Sequence, residues 1–144
     1  MNCKQLCHVA VVDCEQRRIR RELEKKCECA AAIERPTYAG NRTLRAAFVT
    51  VRRGKVETAL DLLRSLRVRK HSPTGFEWGY CGSGPAQLAL AILLDYFPAG
   101  SESTIENLYQ DFKADVIATL PEKSWIITSG EIAAWLTRKW GEKP

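Results

Sequence analysis

Long apolar runs are missing from this chain. No stretch of about 18 apolar residues occurs, so no transmembrane helix is expected. The N-terminal region has no apolar stretch with signal-peptide flanks, and the charged segment "QRRIRRELEKK" comes too early for one. A cytoplasmic location is the expectation. Histidine is scarce: only His8 and His71 occur in 144 residues. Repeats and low-complexity segments are absent. No Lys-Ser/Thr pair follows the glycines of "CGSGP", so a Walker loop is excluded.

What is present is ordinary globular material. Apolar residues make up 45% and charged residues 27%, enough for one domain with a hydrophobic core. The net charge of +5 is unevenly spread. Residues 42–70 carry nine basic side chains (Arg42, Arg45, Arg52, Arg53, Lys55, Arg64, Arg67, Arg69 and Lys70) against Glu57 and Asp61, a net of +7. Residues 71–144 carry a net of −4. A concentrated basic segment suits a phosphate backbone or an acidic protein surface. The alternative is a solvated face whose arginine stems pack on apolar neighbours.

Cysteine is concentrated at one end. Cys3, Cys7, Cys14, Cys27 and Cys29 fall in the first 29 residues as C-x3-C, a gap, then C-x-C. Zinc knuckles favour C-x2-C or C-x4-C, whose turn lets two thiolates converge on one ion. C-x-C is a poor chelate, so reduced, half-buried thiols are the simpler reading. No metal and no cofactor is expected.

Residues 8–33 read as one amphipathic helix, with Val9, Val12, Ile19, Leu23, Ala30 and Ile33 on a stripe. Pro36 ends it. It forms an extension, 1–35, ahead of a single domain, 36–144, and offers a homodimer seam. Within the domain, Gly40-Asn41 reads as a turn, Phe48–Arg52 as a strand and "RRGK" as a turn. Val56, Leu60 and Leu63 repeat with helical spacing. "FEWGY" reads as a strand with Phe76, Trp78 and Tyr80 on one face, pairing with Ser124–Thr128. Residues 86–97 form a helix with almost no polar face, so protein surrounds it. Ser103 with Glu106 and Thr128 with Glu131 read as capping boxes opening two more helices. Ile105, Leu108, Tyr109, Phe112 and Val116 of the first, and Ile132, Trp135, Leu136 and Trp140 of the second, face inward. The expected fold is α+β: a small, short-stranded antiparallel sheet packed on a helical cluster around the buried helix 86–97.

The corner between Trp78 and Gly84 is the densest candidate site. Cys81 or Ser83 at a strand–turn–helix corner, with His71 as base and Glu77 nearby, is the outline of a nucleophile elbow. G-Y-C-G-S does not match that motif, and no clear orienting group completes it. Binding is the better functional reading: N–H groups at Gly82, Ser83 and Gly84 open a helix, with His71 and Trp78 beside them to stack a ring. The purely structural reading is that the aromatics are core and the glycines permit close packing.

The run "HSPTGFEWGYCGSGPAQLALAILLDYF", then "YQDFKADVIATLP" and "EIAAWL", resembles a family of small phage and mobile-element proteins that carries a domain-of-unknown-function label. The resemblance covers about residues 38–137. That family tends to have a small residue such as Gly where this chain has Cys81, which argues against a catalytic Cys81. The resemblance implies a mobile-element context, not a reaction. The expectation is a non-enzymatic accessory protein that binds a host protein or nucleic acid in the manner of an anti-CRISPR inhibitor of a defence nuclease. The alternative is a nucleotide-binding protein or enzyme using the glycine corner.

Overall fold

The computed structural model describes residues 35–141. The expected helix 8–33 and the five cysteines of the first 29 residues lie outside the described residues. Four strands form one antiparallel sheet: β1 (Thr37–Arg42), β2 (Ala47–Arg53), β3 (Val56–Ala59) and β4 (Ser124–Thr128), in the order β3-β2-β1-β4. Four α-helices, α1 (Leu62–Val68), α2 (Ser83–Tyr96), α3 (Glu102–Asp115) and α4 (Ser129–Gly141), complete an α+β fold, with a 3-10 turn at Ile117–Thr119. Among the described residues, no helix is long and apolar enough to cross a membrane.

α2 is the centre. Every residue from Gly84 to Leu94 is buried, so the absence of a polar face has the expected cause. Tyr38, Val49, Val51, Trp125 and Ile127 of the sheet join the same core, as do Ile105, Tyr109 and Phe112 of α3. Ile132, Trp135 and Leu136 of α4 complete it. β1, β2 and β4 alternate, with one face on the core and the other open, while β3 is exposed throughout.

Several expectations need correction. "TYAGNR" is a strand, not a turn, and it is a central one. Gly40 is there because the Trp125 ring occupies the space of its side chain: a Cβ would lie 2.2 Å from that ring. The true turn follows, where Thr43 N–H donates to Ala46 O. The segment from Val56 begins as a strand rather than a helix. Arg53 and Val56 pair across a tight turn in which Gly54 takes φ 58°, and the helix waits for Asp61, whose side chain accepts from Arg64 N–H. "FEWGY" forms no strand, and Ser124–Thr128 pairs with β1 instead. Gly79 turns the chain at φ 86° and donates to Ile117 O, which buries Trp78 and leaves Tyr80 half exposed. α2 starts at Ser83, three residues before the expected 86. α3 starts at Glu102 behind Ser101, whose side chain makes no capping bond, so Ser103–Glu106 is not its capping box. The Thr128–Glu131 box is real: Glu131 accepts from Thr128 N–H and its own N–H donates to Thr128 Oγ1. Trp140 faces solvent rather than the core, at 50% exposure.

Candidate functional site

The glycine corner is filled by the protein itself. Gly82 is extended backbone preceding α2, Ser83 is exposed and Gly84 is buried. A Cβ on Gly84 would meet the Glu77 stem at 2.5 Å, and one on Gly82 would meet the Tyr80 ring at 2.5 Å. An acidic side chain thus stands against the helix start, where the macrodipole favours negative charge. The Glu77 carboxylate accepts from the Arg42 guanidinium. That guanidinium lies 4.6 Å over the Trp78 ring, a cation–π contact. Trp78 also packs edge-on against Trp125 and donates Nε1–H to Pro121 O and Glu122 O. Buried and ringed in this way, Trp78 does not offer a free stacking face.

His71 is held elsewhere. Its backbone N–H and that of Ser72 donate to Gln87 Oε1 at 2.7 and 3.0 Å. Its Nε2 lies 2.9 Å from Tyr109 Oη. Burial first, then the charges of Arg69 and Lys113, hold its pKa below the ordinary histidine value. Among the described residues, no hydrogen bond joins His71 to Cys81 or Ser83.

The nine basic residues divide into two sets. Arg42 pairs with Glu77, Arg53 with Asp95 at 2.6 Å, and Arg69 with Glu106 at 3.8 Å. Arg45, Arg52, Lys55, Arg64, Arg67 and Lys70 have no ion pair among the described residues. The first set faces inward or toward a helix. Of the second, Arg45 sits in the β1–β2 connection, Arg52 on the open side of β2, Lys55 in the β2–β3 turn, and Arg64, Arg67 and Lys70 on and after α1.

That open side is the feature not singled out from the sequence. Phe48, Thr50 and Arg52 alternate with the buried Val49 and Val51, so they share the solvent face of β2. Phe48 is 56% exposed and Ile126 of β4 is 65% exposed. With Ala39, Asn41 and Ser124 they line a shallow depression of about 700 Å³. The signal was present: in "FVTVR" the aromatic falls in phase with the polar residues. Asp95 was also missed. It accepts from Tyr38 Oη at 2.8 Å and from Arg53, beneath the sheet.

No curated protein and no solved structure matches this chain. A family model matches residues 38–138, which include all of the sheet but Thr37, the glycine corner and α2. The chain therefore belongs to a family of unknown function, DUF6166.

Proposed function

We propose that this is a non-enzymatic binding protein that takes single-stranded nucleic acid on the open face of its sheet. The observation that carries this is Phe48, an exposed aromatic on the same strand face as Arg52, with Arg45 just before the strand. A base stacks on an exposed ring in a sequence-tolerant way, while flanking cations meet phosphates. Asn41 adds a polar contact on that face, where the Thr50 hydroxyl donates to Glu57 at 2.7 Å. The phage and mobile-element resemblance of the sequence supports an accessory role in that setting. A nucleoprotein of a host defence system, such as an RNA-guided nuclease, presents the chemistry this face would meet.

Fluorescence anisotropy with labelled single-stranded RNA and DNA tests this reading. Phe48→Ala should weaken binding by about 1–3 kcal/mol. Arg45→Gln and Arg52→Gln should each lower the slope of log affinity against log salt by about 0.7. Affinity that ignores both salt and Phe48 would refute it. A second reading, docking on a host protein, is favoured by Ile126, an exposed apolar residue on an edge strand.

A further inference from the structure

The sheet has two edges, and they are treated differently. β3 is four residues long, fully exposed, and carries Glu57 just after Lys55, so it is short and charged. Such devices discourage further pairing. β4 reads Ser-Trp-Ile-Ile-Thr: no charge, no proline, and β-branched residues at three of five positions. It is the undefended edge.

The phase of the ladder shows which backbone groups it offers. Arg42 N–H donates to Lys123 O, and these residues continue the β1–β4 register. In an antiparallel pair, bonded positions then recur every second residue, at Gly40–Trp125 and Tyr38–Ile127. The N–H and C=O of Ser124 and Ile126 therefore point away from the sheet, and among the described residues they have no hydrogen-bond partner. Thr128 N–H, the next in that series, is taken by Glu131.

A recess runs beside this edge on the core side, about 320 Å³ in volume. Val116 and Leu120 line it from the segment after α3, Ile132, Trp135 and Arg138 from α4, and Ile126 and Ile127 from β4. Glu131 also lines it, with its carboxylate engaged by Thr128. Arg138 is exposed and has no ion pair among the described residues.

We propose that β4 receives an extended segment of a partner protein as a fifth strand. This deepens the host-protein reading and does not depend on the nucleic-acid one. Added strands bind through the main chain and are selected by alternate side chains. The residues opposite Trp125 and Ile127 point to the core side and enter the recess, so they are apolar. The residue between them lies opposite Ile126 and stays on the open face. An acidic residue beside this pair meets Arg138. A second copy of this chain fits less well. Antiparallel pairing of β4 with itself would place Trp125 and Ile127 at the inward positions, and both are already committed to their own core.

The test starts from a displayed library of random linear peptides, selected on the full chain. Enriched peptides should show two apolar residues separated by one residue, and a flanking Asp or Glu. The best is then measured by fluorescence polarisation against wild type, Ile126→Pro and Arg138→Glu. Ile126 N–H serves no bond inside the sheet, so proline there breaks no ladder bond and removes the outward donor together with the Ile126 side chain. Each variant should bind roughly ten-fold more weakly or worse. N-methylation of the peptide residue opposite Ile126 should do the same with the protein unchanged, which covers misfolding of the proline variant. Arg45→Gln and Arg52→Gln should leave peptide affinity unchanged, which separates this result from the fate of the nucleic-acid reading. A library with no enriched sequence would overturn the proposal, as would affinity indifferent to Ile126→Pro and to N-methylation. A dimer in sedimentation that Ile126→Lys dissociates would also overturn it, by showing that a second copy occupies the edge.

Discussion

Gln87 is the polar residue the core is least able to lose. It is fully buried in α2, and its side-chain amide is fully used. Oε1 accepts from His71 and Ser72 N–H, while Nε2 donates to Ser65 Oγ at 2.8 Å and Arg69 O at 3.1 Å. One side chain thus ties the loop after α1 to the central helix. Gln87→Met keeps the length and most of the volume, so the cavity contribution stays small. Four partners are orphaned, although Ser65 Oγ keeps its bond to Leu62 O and water can reach part of the loop. At about 1 kcal/mol for each lost bond, discounted for that water, the expected loss is about 3 kcal/mol. For a domain of this size that corresponds to a melting point lower by roughly 12 °C or more. Urea unfolding should show a lower midpoint with an unchanged slope. Amide exchange at His71 and Ser72 should accelerate relative to the α2 amides. A loss below about 1 kcal/mol with unchanged exchange at those two amides would refute the clamp.

Two pH dependences follow, one from the buried Tyr38 and one from the partly buried His71. Burial, then the Asp95 charge and hydrogen bond, push the Tyr38 hydroxyl well above the ordinary tyrosine range. The folded state holds that proton more tightly, so stability should fall as pH rises past about 10, and Tyr38→Phe should flatten that limb of a pH–stability curve from chemical denaturation. His71 is shifted the other way, toward the neutral ring. Its contribution is present above the ordinary value of about 6.5 and is lost as pH falls below it, toward the lower folded value. His71→Gln should flatten the curve there, and NMR titration of the ring should place its midpoint below that of an unfolded peptide.

The parts of the fold that the sequence made legible are those set by local chemistry. α2 is apolar on every side, and only burial satisfies that. The Thr128–Glu131 box closes within four residues, and its geometry is local. The parts that were not legible depend on distant neighbours. Gly40-Asn41 has the composition of a turn. It is a strand because Trp125, 85 positions later, needs the space that a side chain at Gly40 would fill. Val56, Leu60 and Leu63 fit a helix, but Gly54 folds Val56–Ala59 back onto β2 before the helical turn begins. Trp78 and Tyr80 alternate as strand residues do, yet Gly79 breaks the run and sends them to opposite environments. At the candidate site, the basic residues were visible as a group. Their division into paired and free was not, because Glu77, Asp95 and Glu106 come from later in the chain.

That division can be tested directly. Arg42 ends β1 and Arg53 ends β2, so in this antiparallel pair they stand at opposite ends of the sheet. Glu77 packs against the start of α2, and Asp95 lies near its end. The two ion pairs therefore fasten the central helix to the sheet at both ends, and their charge is spent internally. Both pairs are partly exposed, so each should couple by only about 1 kcal/mol in a double-mutant cycle. Arg42→Gln and Arg53→Gln should lower stability by that order while leaving oligonucleotide affinity and its salt slope nearly unchanged. Arg45→Gln and Arg52→Gln should do the reverse. If all four variants weaken nucleic-acid binding equally at unchanged stability, then the whole basic segment acts as one diffuse field, and the open face around Phe48 has no special part in it.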